Sequence, residues 1–240
     1  MTTWLGGIDM QGDGQRKAAG RGGGLGVAAC ISLILSGCGG GKSADITLPA
    51  DAVESASLCY GATMAVTQEK VGKGSVPLDA ASHALHFALL AGTDGDLGDP
   101  TKVVGKIERI GTQDKGLQDK FVADKNAASY TAPCAKAFPE TQAGAFKSLP
   151  PDTRDTRTQC YVLSTVLLQI FAQSEIAPDP RAATWVKLNG QLEQLSNNEV
   201  YPAEEDEHIG EIAMRALAKA VRLGPPIDVM AACGDRYLKS

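Results

Sequence analysis

The chain has 240 residues, 43% of them hydrophobic, and a formal net charge of −5 near neutral pH. With no long block of Lys or Arg it lacks the electrostatic footprint that phosphate neutralisation demands, which argues against a nucleic-acid partner. The roughly 190 residues beyond its N-terminal region are enough to bury a core without help from a metal.

The first element is a basic, glycine-rich start followed by an apolar run. Arg16, Lys17 and Arg21 precede Leu25 to Leu35, eleven residues of sequence LGVAACISLIL. The run is too short to span a bilayer as a permanent helix but suits the apolar part of an export signal. Leu35-Ser36-Gly37-Cys38 closes it. Basic start, apolar run and Leu-Ser-Gly-Cys together resemble the lipobox signal of bacterial lipoprotein precursors. The resemblance covers residues 1–38 and implies that 1–37 is a signal peptide, with Met10 offering an alternative start. It implies that the Cys38 thiol receives a diacylglycerol and that Cys38 becomes the new N-terminus. Acyl chains, palmitate among them, then hold the protein to a membrane; two or more give durable anchoring where one is marginal. Gly39 rather than Asp follows Cys38, and by resemblance to enteric sorting rules this favours the outer membrane, with the domain facing the periplasm. The removed segment holds those three basic residues against Asp9 and Asp13, so the remainder is more acidic still.

Six cysteines divide by this reading: Cys30 is removed and Cys38 is lipidated, leaving Cys59, Cys134, Cys160 and Cys233. An even number in an oxidising compartment predicts two disulfides, and no CxxC or Cys/His cluster points to zinc.

Residues 38–50 comprise the lipidated cysteine and a flexible Gly-rich tether. Helices follow, punctuated by Pro and Gly. Asp51 opens the first, running to about Gln68, with Val53, Tyr60, Met64 and Val71 as candidate core. Ser75 or Asp79 is expected to cap a second, which carries Leu85, Phe87, Leu89 and Leu90 and stops at Gly92. Asp99-Pro100 is a cap followed by Pro at the first helical position. The third helix it opens places Val103, Ile107, Ile110, Leu117 and Phe121 at spacings of 4, 3, 7 and 4, a helical stripe. A short piece around Tyr130 to Phe138 carries Cys134 and ends at Pro139.

Pro150-Pro151-Asp152 opens a strongly apolar helix to about Ser174, with Cys160, Leu163, Leu167 and Ile170 on one side and Val166 and Phe171 adjacent. Asp179-Pro180 repeats the cap-plus-proline start, ahead of Trp185, Leu188, Leu192 and Leu195. Pro202 is expected to start the next, with Glu204, Glu205 and Asp206 in its first turn and Lys219 and Arg222 in its last, an order that complements the helix dipole. Gly224 and Pro225 stop it, and a last short helix carries Met230, Cys233 and Tyr237. No segment alternates as a half-buried strand should. The fold class is therefore all-α: a disulfide-stapled helical bundle.

The two parts of the bundle resemble each other. CYGATMAVTQ from Cys59 pairs with CYVLSTVLLQ from Cys160, and APCAKAF around Cys134 with AACGDRY around Cys233. Val104-Gly-Lys-Ile107 also resembles Ile209-Gly-Glu-Ile212, and the cysteine separations are 75 and 73. An internal duplication follows, with two similar four-helix halves at 51–140 and 150–240. It selects Cys59–Cys134 and Cys160–Cys233 among the three connectivities open to four cysteines.

Candidate chemistry is thin. His83 and His86 can share a helix face, but a pair lacks the further ligands zinc or copper needs, and the polar edge of an amphipathic helix is the better reading. Glu205-Asp-Glu-His208 forms part of an acidic run with one Glu-x-x-His, whereas di-metal bundles require two and two further glutamates. Asp94-Gly-Asp96-Leu-Gly-Asp99 fails the calcium-loop pattern, since Asp99 stands where Gly is needed and Gly105 where Glu is needed. Ser164 reads as a core hydroxyl, and no motif for covalent catalysis, phosphate binding or a cofactor occurs. No catalytic or metal residue is assigned, and the balance leans away from an enzyme. The leading expectation is a non-catalytic, membrane-anchored envelope lipoprotein that binds an envelope protein or acts as a structural accessory. The alternative is a carrier of lipid or a small ligand in a cavity lined by Leu163, Leu167, Ile170 and Phe171. An envelope hydrolase with a dispersed site ranks below both.

Overall fold

Local chemistry sets most helix boundaries. A computed structural model describes residues 46–95, 97–172, 176–197 and 208–238. Helix α1 is Ala52–Val71, and its N-cap Asp51 accepts a hydrogen bond from the Glu54 backbone N–H at 2.8 Å. Gly72, at a φ of +62°, ends it. Helix α2 is Leu78–Gly92. Helix α3, Pro100–Asp124, starts under the Asp99 carboxylate, which accepts from the backbone N–H of Thr101 and Lys102 at 3.1 and 3.3 Å. Helix α4, Thr131–Ala137, is flanked by short 3₁₀ turns at Ala127–Tyr130 and Pro139–Thr141. The second half holds α5 (Arg154–Phe171), α6 (Arg181–Asn197), α7 (Ile209–Arg222) and α8 (Pro226–Tyr237).

Three expectations change. Neither Ser75 nor Asp79 caps α2: Pro77 occupies the N-cap position with no side-chain bond, and Asp79 lies inside the first turn, where its carboxylate meets Arg181. Helix α5 begins at Arg154 rather than beside Pro151, because Thr153 accepts the Thr156 N–H at 3.3 Å while the Thr156 hydroxyl donates to the Pro151 carbonyl at 2.7 Å. In α1 the expected core residues Val53, Tyr60, Met64 and Val71 are only half-buried. The buried face is instead Ser55, Ala56, Cys59, Ala62 and Ala65. Small side chains there let α1 pack against α2, α3 and α4 together. The proposed start at Pro202 and the end at Ser174 lie outside the described residues, as do the signal segment 1–37 and Cys38.

The described residues form an all-α bundle stapled by two disulfides, and among them no strand occurs. Each half has the same plan: α1 touches α2, α3 and α4, and α5 touches α6, α7 and α8. Cys59 of α1 is bonded to Cys134 of α4, and Cys160 of α5 to Cys233 of α8, with Cα–Cα distances of 5.6 and 5.9 Å. All four cysteines are buried. Each bond therefore joins the first and last helix of its own half, the pairing that the repeat implies.

One apolar cluster runs through both halves, from Ala56, Phe87 and Ile110 to Leu163, Leu167, Leu188, Leu217 and Met230. In the first half Phe138 meets Phe87 edge-on at 5.4 Å between ring centroids. A smaller cluster of Ala62, Ala65, Phe121 and Ala127 closes the far end of α1 and α3, with Tyr130 edge-on to Phe121 at 4.9 Å. The segment 142–153 crosses between halves and is held by Arg236, which donates to the Pro150 carbonyl at 2.5 Å.

Candidate functional site

The most elaborated polar arrangement lies along the seam between the halves, where α2 packs on α7 and α8 and α3 packs on α7. Helix α2 is tied across this seam at four levels. Before its first turn, Val76 and Ile176 form a parallel bridge, and the Val76 carbonyl accepts the Ala177 N–H at 2.9 Å. In that first turn Arg181, at the start of α6, reaches Asp79 at 2.7 Å while also gripping its own cap residue Asp179 at 2.7 Å. Beyond the last turn of α2, Arg222 approaches Asp94 at 3.4 Å.

The middle tie is buried. His86 has no solvent exposure, and its Nε2 lies 2.6 Å from the carbonyl oxygen of Val221 in the last turn of α7. Carbonyls of a final turn have no partner within their own helix, so the imidazole serves as a cap delivered from the other half. A carbonyl can only accept, which places the proton on Nε2 and leaves Nδ1 a bare acceptor. Nδ1 has no partner among the described residues, and neither has the buried Ser82 hydroxyl one turn earlier. Desolvation pushes the His86 pKa down to about 4, against an upward pull from the Val221 carbonyl and a small downward one from His83. The ring is therefore neutral near pH 7. The expectation that the pair marks a polar helix edge holds for exposed His83, which lies 5.2 Å from the Phe87 ring, and fails for His86. Periodicity locates a buried face; it cannot say that a polar residue occupies it.

The other candidate residues are accounted for by structure. Asp99 caps α3 and pairs with Lys102 at 3.3 Å; Asp94 meets Arg222, and its carbonyl accepts from Lys106 at 2.9 Å. Asp96 lies outside the described residues, as do Glu205, Asp206 and Glu207. His208 is exposed, 3.6 Å from Glu211. Ser164 is fully buried on α5: its hydroxyl donates to the Tyr161 carbonyl at 2.7 Å and accepts from Asn189 of α6 at 2.7 Å. Asn189 also reaches Thr165 at 2.9 Å, so the trio joins α5 to α6. Leu163 and Leu167 have no solvent exposure and belong to the shared core.

Two open surface depressions stand apart from the seam. One, of about 500 Å³, runs along α6 past Val186, Lys187, Gly190, Gln191, Gln194 and Leu195. The other, of about 440 Å³, lies between the 146–149 segment and Ala232, Asp235 and Arg236 of α8. Among the described residues no three His, Cys, Asp or Glu side chains cluster as a metal site would require, and no helix is long and apolar enough to cross a membrane. Comparison with protein-family models, characterised proteins and solved structures found no match to this chain.

Proposed function

We propose that this is a lipid-anchored protein of the bacterial cell envelope, held through Cys38 on the outer membrane and facing the periplasm, where it binds another envelope protein or acts as a structural accessory. The observation that carries the reading is the pair of buried disulfides in a helical body, because such bonds persist in exported, oxidising compartments and are rare in the cytosol. The Leu-Ser-Gly-Cys38 sequence after an apolar run supports the same address. The titratable residues of the seam are engaged in holding helices together rather than presented to a substrate, which favours a binding or structural role over hydrolysis. The carrier reading draws less support, because Leu163 and Leu167, assigned to its cavity wall, are fully buried in the core.

Cys38→Ser tests the anchoring. The variant should accumulate as an unprocessed, unacylated precursor, whereas the parent chain should fractionate with membranes. Parent protein of mature size in the soluble periplasm would overturn the proposal. Crosslinking in intact membranes, with the Cys38→Ser chain as control, tests the binding role: a stoichiometric envelope protein should be captured by the anchored chain alone.

A further inference from the structure

The central tie of the seam has a property that the ion pairs on either side of it lack. Nε2 of His86 is committed to the Val221 carbonyl, so any further proton must go to Nδ1, which is buried and without a partner among the described residues. We propose that His86 is a proton-operated latch: uptake of one proton at Nδ1 parts α2 from α7 and loosens the two halves, each of which stays closed by its own disulfide.

Protonation does not break the bond to Val221, because Nε2 remains a donor. What changes is that the core acquires a cation, and an unpaired buried cation is costly until it meets an anion or water. Among the described residues no acidic side chain on the elements packed against α2 bonds Nδ1, and Glu140, in the 3₁₀ turn Pro139–Thr141 against α2, is half-buried without reaching it. On α1, Glu54, Glu69 and Lys70 are exposed. On α3, Lys106 holds the Asp94 carbonyl, Lys102 pairs with Asp99, and Glu108, Arg109, Asp119, Lys120 and Asp124 are exposed. On α7, Arg222 meets Asp94, Lys219 meets Asp155 at 2.8 Å, and Arg215 pairs with Glu211. On α8, Asp228 and Asp235 are exposed, Arg236 holds the Pro150 carbonyl, and Tyr237 donates to Asp152 at 2.8 Å. On α2 itself, Asp79 is engaged by Arg181, and His83 one turn away adds only like charge when protonated. Ser82, one turn from His86 on the same face, is neutral. Parting of α2 from α7 is then the route by which the imidazolium reaches water.

The flanking ties shape the motion. The Val76–Ala177 bond and the Asp79–Arg181 pair lie at the start of α2, while at its other end the ion pair among the described residues is the longer Asp94–Arg222 contact. The seam therefore opens from the C-terminal ends of α2 and α7, pivoting about the Val76–Ala177 end. The open imidazole, at the ordinary histidine pKa, binds a proton about 300 times more tightly than the closed one at about 4; since the closed ring is itself half protonated at pH 4, the open population should rise about 100-fold between pH 7 and pH 4.

Hydrogen exchange of the full chain, corrected for the intrinsic effect of pH, tests this. Acidification from pH 7 to pH 4 should cut protection at the C-terminal ends of α2 and α7 by about 100-fold while α1 and α5 keep theirs. His86→Gln retains a donor for Val221 and cannot titrate, so its seam protection should be nearly independent of pH. An equal pH response in His86→Gln would overturn the latch, as would simultaneous loss of protection in all helices of the parent chain. Should His86→Gln fail to fold, an NMR titration of the parent His86 ring decides: titration near pH 4 supports the latch, and titration near 6.5 overturns it.

Discussion

Gly224 sits at a φ of +143°, between α7 and α8, with the Phe146 backbone against its open side. A Cβ there would lie 2.6 Å from the Phe146 nitrogen and 2.7 Å from its Cα. Gly224→Ala combines an unfavourable backbone conformation with a collision against main chain, and should cost about 2–4 kcal/mol in a urea titration. His86 carries a second residue-scale consequence. Its folded pKa lies below the unfolded value, so the unfolded chain binds the extra proton first, and stability is complete above pH 6.5 and lost as pH falls towards 4. The loss attributable to His86 should approach about 3 kcal/mol, measured as the difference between parent and His86→Gln stability at pH 4 relative to pH 7. The sequence marked Gly224 as a stop but held no sign of the Phe146 crossing, which brings together positions 78 residues apart. It likewise placed His86 on a helix without revealing that its partner is a carbonyl 135 residues away.

At the scale of elements, capping chemistry was the most readable signal. Asp51, Asp99 and Asp179 all act at the starts expected of them, the last through the Arg181 N–H at 2.8 Å. The Asp99 carboxylate accepts two backbone donors as an N-cap, so Asp99→Ala should lower stability and fray the first turn of α3 in hydrogen exchange. The apolar stripes of α3, α5 and α6 were legible for the same reason, since Val103, Ile110, Leu163, Leu167, Leu188 and Leu192 recur at helical spacing and are fully buried. Helix α1 was less so: its buried face is small residues, and hydrophobic patterning overlooks alanine and serine where close approach matters more than transfer energy. The start of α2 was missed because its neighbourhood is organised by Arg181 from the other half, a contact that local sequence cannot encode.

In the whole molecule, the repeat supplied what local reading could not, since matching Cys-Tyr helices implied which distant cysteines close each half. A loop of that length restricts the unfolded chain by about 4 kcal/mol in the chain-entropy account. Cys160→Ala with Cys233→Ala should therefore destabilise the protein by about 2–5 kcal/mol, with exchange protection falling first in α5 and α8. Because a single apolar cluster joins the halves, protection in α2 should weaken next, ahead of α3. Most direct for the central claim is non-reducing mass spectrometry of peptides from the protein isolated from its native cells. The account predicts an acylated N-terminal peptide beginning at Cys38, with Cys59 linked to Cys134 and Cys160 linked to Cys233. An unacylated chain retaining residues 1–37 and carrying four free thiols would contradict it.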